Sequence, residues 1–227
     1  MRKILILIFS FVLLASFATA DLEVHLRGGS HTDTDGAYET IMGIEGWNSE
    51  STLVGGYMHR DTDWGLASGA SEAYRYYNIT GAVIGPYNIQ SIDYSWTTLN
   101  NPTTLNLGDD DYAFVNLGFD VNFFGTNYNQ IYVSSNGFIG FSDLFNPPSN
   151  GCCEGQDLPN SNNPNNLFVG WWEDLQPASG GGTGTIKYQT FSSFNNPYKT
   201  VIQFDNVGHY NDLNNKVSFQ IVLNKDY

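Results

Sequence analysis

Two adjacent cysteines, Cys152 and Cys153, stand in the turn-rich stretch PPSNGCCEGQDLPN and are the only two in the chain. A structural zinc site needs four N or S ligands at spacings such as Cys-x-x-Cys. A thioredoxin-like pair needs Cys-x-x-Cys at a helix start, and a cysteine nucleophile needs a basic partner; His209 carries no supporting motif. In an oxidising compartment the remaining choices are a bridge between neighbours, to another chain, or to a continuation of this one. Adjacent Cα atoms lie ~3.8 Å apart, short of the ~4.4–6.8 Å of an ordinary disulfide. A vicinal bridge is therefore strained, yet it can rigidify a tight turn, and the sequence favours it as a staple.

Three acidic clusters come next: HTDTDG with Asp33 and Asp35, RDTDWG with Asp61 and Asp63, and GDDDY with Asp109, Asp110 and Asp111. Each could lend carboxylates to Ca²⁺ in a loop of a β-domain. The plainer reading is that Asp and Gly make turns. The first cluster is no EF-hand, because His31 holds the first position and Met42 the twelfth. In GWWEDLQPASGGG, Glu173 and Asp174 beside Trp171 and Trp172 suggest a sugar hydrolase. Glycosidases need their two carboxyls ~5–10 Å apart across a scissile bond, whereas strand neighbours point to opposite faces. One tryptophan is expected in the core, and the other could offer a sugar-stacking surface. The four histidines are dispersed, and neither Gly-x-Ser-x-Gly nor His-Glu-x-x-His occurs. Gly180–Gly184, GGGTG, lacks the lysine of a phosphate loop and reads as a flexible connection. Asn78-Ile79-Thr80 is the one glycosylation sequon, relevant where the source glycosylates.

The elements that must position these residues are strands. The chain opens with Arg2 and Lys3, an apolar run from Ile4 to Phe17, and Ala18-Thr19-Ala20. That is a secretory signal peptide over residues 1–20, cleaved after Ala20, with an apolar run shorter than the ~20 residues of a spanning helix. Nine basic residues less these two leave seven against 23 acidic ones, a mature charge of −16. Nucleic acid is thereby excluded as a partner, and so is simple adhesion to anionic lipid. Aromatics at 15%, 24 glycines and few charges describe strands and turns. The expectation is an all-β antiparallel sandwich over 91–227, preceded over 21–90 by a second, smaller β-rich region of shorter, broken strands.

Within 91–227 the period-two pattern is clean. Ala113, Val115, Leu117, Phe119, Val121 and Phe123 share one face, as do Val217, Phe219, Ile221 and Leu223. Asn136-Gly137 predicts a two-residue type I′ hairpin joining Gln130–Ser135 to Phe138–Asp143. Counting outward from that turn sets Ser134 opposite Ile139 and Tyr132 opposite Phe141.

Several short motifs in a fixed order then become recognisable: Leu117-Gly118-Phe119, Phe124-Gly125, Tyr132-Val133, Asn136-Gly137-Phe138, Trp171-Trp172-Glu173-Asp174, Asp205-Asn206-Val207-Gly208 and Phe219-Gln220. Together, over about residues 94–227, they resemble the nidogen-like extracellular domain and related modules of secreted bacterial and archaeal surface proteins. The resemblance implies a non-catalytic, extracellular or cell-surface β-module for adhesion, interaction or spacing, with an extracellular protein or glycan as partner. It also implies a further strand beyond Leu223, so the chain is expected to be cut short at its C-terminus. Two other roles stand beside this one: an accessory domain of a secreted hydrolase, and a carbohydrate-binding module using Trp171 or Trp172.

Overall fold

The computed structural model describes residues 22–27, 39–47, 53–60, 71–78, 87–141, 148–149, 155 and 158–225. The expected leader, Asp33, Asp35, Asp61, Asp63, Cys152, Cys153 and the Asn78 side chain lie outside the described residues. The strands are β1 (Leu22–Leu26), β2 (Glu39–Trp47), β3 (Leu53–Arg60), β4 (Glu72–Asn78), β5 (Tyr87–Ser91), β6 (Thr103–Leu105) and β7 (Tyr112–Phe123). They continue as β8 (Thr126–Ser134), β9 (Phe138–Gly140), β10 (Leu167–Val169), β11 (Leu175–Gln176), β12 (Thr185–Ser193), β13 (Asn196–His209) and β14 (Asp212–Asn224). No helix among the described residues is long and apolar enough to cross a membrane.

The strands form two antiparallel sheets, so the expected all-β sandwich is the architecture. One runs β5-β4-β1-β14-β13-β12-β6, with β11 also on β13; the other runs β3-β2-β10-β9-β8-β7. Their facing sides share one core. Leu22, Val24, Phe204, Phe219 and Ile221 come from the first sheet, and Ile44, Val115, Leu117, Phe123 and Phe141 from the second. Rings stack within it, Phe204 on Phe219 at 4.3 Å and Phe123 on Phe141 at 3.9 Å. The two apolar stripes read from the sequence both face this core, with Ala113 at its margin.

Residues 22–78 do not stand apart as a smaller β-region. β1 lies between β4 and β14, with Val24 opposite Ile221, while β2 lies between β3 and β10, with Ile44 opposite Phe168. The early strands thus complete both sheets. Their pairing was hidden because β1's partner in β14 lies nearly the whole chain away, and strand patterns carry no record of partners.

The outer face of the first sheet is covered by residues 92–101. The Gln220 amide mimics a strand edge: its Oε1 accepts the Thr97 N–H at 3.0 Å and its Nε2 donates to the Thr97 carbonyl at 2.7 Å. Gln189 accepts the Asn100 and Asn101 N–H groups, and His25 Nδ1 accepts that of Ser95. An irregular segment can lie on a sheet only if its backbone groups find such partners.

Two turns differ from expectation. The β8–β9 turn is longer by one residue, because Tyr132 pairs with Gly140 and Val133 with Ile139. Gly137 alone is left-handed there, at φ 90°, while Asn136 is not. A one-residue shift exchanges faces, so Tyr132 and Phe141 do not pair: Phe141 joins the main core and Tyr132 an outer cluster. The glycine-rich Gly180–Gly184 stretch is also not loose. The Gly182 N–H donates to the Pro177 carbonyl and the Thr183 N–H to the Gln176 carbonyl, and a Cβ on Gly182 would lie 1.8 Å from the Gln176 oxygen. Gly180, Gly182 and Gly184 serve close backbone approach, while Gly181 takes a left-handed turn at φ 90°.

A chain cut to residues 91–227 should lose its cooperative urea transition, because β14 and β10 each lose a neighbour, while 21–227 unfolds in one step. A sharp transition in the shorter chain would show that the later strands suffice.

Candidate functional site

The β8–β9 turn is the centre on which the polar groups converge. Asn136 is fully buried, and its side chain is used twice. Its Nδ2 donates to Asp110 Oδ1 at 2.8 Å, and its Oδ1 accepts the Leu175 N–H at 3.1 Å. The Gly137 carbonyl accepts the N–H groups of Gly170 and Trp171. The turn thereby draws together GDDDY, before β7, and WWEDL, between β10 and β11.

One result is a carboxylate cluster. Ligand oxygens of Asp109, Asp110 and Asp174 all lie within 4.8 Å of one another. The sequence nominated Asp109, Asp110 and Asp111; the third place belongs to Asp174. Asp111 instead accepts the Gly108 and Tyr112 N–H groups at 3.0 and 2.8 Å and shapes its own turn. Burial, and then the charge of Asp110, hold the Asp109 carboxyl above its ordinary range. Three hard oxygen donors that repel one another match the chemistry of Ca²⁺ or Mg²⁺, and these carboxylates are the ones that would hold such an ion.

The second result removes the apparent glycosidase pair. Glu173 is buried, and its Oε2 accepts from Trp171 Nε1 at 2.6 Å and from His209 Nδ1 at 2.8 Å. It ties the β10–β11 corner to β13. Both tryptophans are buried, at 1% exposure each, so the expected sugar-stacking surface is not there. Trp171 enters the main core and Trp172 the outer cluster with Tyr132, Phe138, Leu158, Leu167 and Val169. The reason is local. The pair lies in the corner after β10, not on a strand, so the strict alternation that would have exposed one of them does not apply.

A third polar group was not foreseen. Glu45 on β2 is fully buried, opposite Leu167 of the outer cluster. Its Oε2 accepts the Asn160 N–H at 2.8 Å, while Oε1 has no hydrogen-bond partner among the described residues. Burial raises its carboxyl to about 7, only partly offset by the Asn160 bond. A lone acidic residue in the apolar strand IMGIEGW was the available signal.

These features define a two-sheet antiparallel β-module with a carboxylate cluster and a buried Glu173–His209 pair at one turn-built corner. The family model described as NIDO related matches residues 86–226, well over half of the chain, and the protein belongs to that family. No curated protein and no solved structure matches the chain. Membership places it among modules of extracellular type.

Calcium titration checks the carboxylate cluster. A site of ~1 mM affinity would add ~1.4 kcal/mol at tenfold excess, roughly 3–6 °C in Tm, and Asp174→Asn would remove the rise. Identical melting of both proteins with and without Ca²⁺ would leave the aspartates as turn formers. For Glu45 the folded value lies above the unfolded one, so the charged form weakens the fold. Stability should fall as pH rises from about 4.5 to above 7. Glu45→Gln should remove that slope and gain about 3 kcal/mol at pH well above 7; urea melts at several pH values measure both.

Proposed function

We propose that this chain is a non-catalytic module, exported from the cell, that acts in adhesion or interaction through its surface. One observation carries the non-catalytic part. Glu173, one of the two carboxyls that suggested a sugar hydrolase, is buried and engaged by Trp171 and His209. A general acid or base must reach the substrate proton directly or through one water. Burial of Trp171 and Trp172 counts equally against a carbohydrate-binding role built on them. The export part draws support from the leader pattern of residues 1–20, the acidic charge and membership of a family of extracellular type.

Production with the native leader in a secreting host tests the reading. The chain is expected in the medium, with Asp21 as its first residue. Retention inside the cell with Met1 intact would refute export. Chromogenic glycoside, ester and peptide substrates should stay uncleaved; turnover abolished by Glu173→Gln would overturn the non-catalytic part.

A further inference from the structure

Two hairpins in this protein use the same turn with the same residue in its first position. Phe123 pairs with Thr126 around Phe124-Gly125, and Ser193 pairs with Asn196 around Phe194-Asn195. In both, the two central residues have positive φ: 47° and 88° in the first, 49° and 66° in the second. Such two-residue turns favour Asn-Gly, and an aromatic side chain in the left-handed region is strained. At Phe124 packing supplies the offset. The ring is buried against Phe123 and over Gly46, where a Cβ would lie 2.2 Å from it. At Phe194 nothing does, since the residue is 102% exposed. A strained, fully solvated aromatic at a hairpin tip is explained when its packing partner lies on another molecule.

The charges around the tip describe that partner. Lys225 Nζ donates to Asn196 Oδ1 at 3.2 Å, beside the turn, and Lys199 Nζ lies 4.9 Å from the Phe191 ring on the strand leading into it. The tip is therefore basic in a chain of net charge −14. A matching surface exists on the same chain. Tyr112 and Phe114 are exposed on the outer side of β7, the edge of the six-stranded sheet, their rings edge to face at 6.0 Å. Asp109, Asp110 and Asp111 directly precede them, and Asp120 is exposed further along the same face. An aromatic shelf with an acidic rim complements an aromatic tip with basic flanks. An anionic lipid surface fits less well, because it would repel the whole chain and one ring anchors weakly.

We infer that the Phe194 hairpin tip of one copy docks on the Tyr112–Phe114 shelf of a second copy. Tip and shelf are different surfaces, so the contact is head-to-tail, and each bound copy still presents a free tip or shelf to the next. The inference deepens the interaction role proposed above by naming one partner. A monomeric protein would remove this contact while leaving that role to other ligands, whereas enzymatic turnover would strike the role itself.

Sedimentation velocity of residues 21–227 over a concentration series is the test. The wild type should form dimers and longer species that weaken with salt. Phe194→Ser and Phe114→Ser should each weaken self-association at least about tenfold. Mixed in equal amounts they should form a complex that stops at two chains, since the first keeps its shelf and the second its tip. The double change Phe194→Asn with Asn195→Gly should abolish association while leaving the melting temperature the same or higher. A wild type monomeric at every concentration would overturn the inference, as would a mixture that stays monomeric. Monomers that bind phosphatidylserine vesicles only when Phe194 is present would also overturn it, assigning the tip to lipid.

Discussion

Gly137 can carry no side chain, because a Cβ there would fall 1.7 Å from the Trp171 carbonyl oxygen. That close approach lets the Gly137 carbonyl accept two backbone N–H groups from the β10–β11 corner, while Asn136 holds the corner and the Asp110 turn from within. A buried amide is tolerable only when its donors and acceptors are satisfied, and Asn136 meets that condition through segments far apart in the chain. Asp109, Asp110, Glu173 and Asp174 take their places from this one turn. Asp174 meets Asp109 and Asp110 because the corner is held there, and Glu173 faces His209 for the same reason.

The sandwich around the turn separates polar groups by function. Gln220, Gln189 and His25 sit on the outer side of the larger sheet and satisfy the backbone of residues 92–101, so that segment packs without being a strand. Glu45 lies on the outer side of the smaller sheet and, among the described residues, is satisfied at only one oxygen. The two faces therefore differ in kind. One offers amides and a histidine to the backbone of the segment that covers it, and the other holds a buried carboxyl whose charged form is disfavoured. Gly140 belongs to the second face, where the Tyr132 ring occupies the space a Cβ would need, 2.0 Å away.

Much of this was legible in the residues. The stripe from Ala113 to Phe123 and that from Val217 to Leu223 gave the buried face correctly, because period-two alternation is a direct consequence of strand geometry; the second falls short of β14, which begins at Asp212. The family resemblance over the later strands rested on motif order, and the family match covers nearly the same span. The β8–β9 register was misread by one residue, since Asn-Gly serves more than one turn and tertiary contact with Trp171 chose the longer. The tryptophans were misread because alternation was applied to residues that lie in a corner.

The sequence by itself determined the fold class, the faces of the long strands and the presence of acidic turns, because each depends on neighbours within a few residues. Only the tertiary structure decided that residues 22–78 complete both sheets, that Asp174 replaces Asp111 beside Asp109 and Asp110, and that one left-handed phenylalanine is buried while the other is bare. Those outcomes depend on which distant segments meet. Alternation and turn propensity fix where a side chain points relative to its own strand, and they carry no information about what stands opposite it.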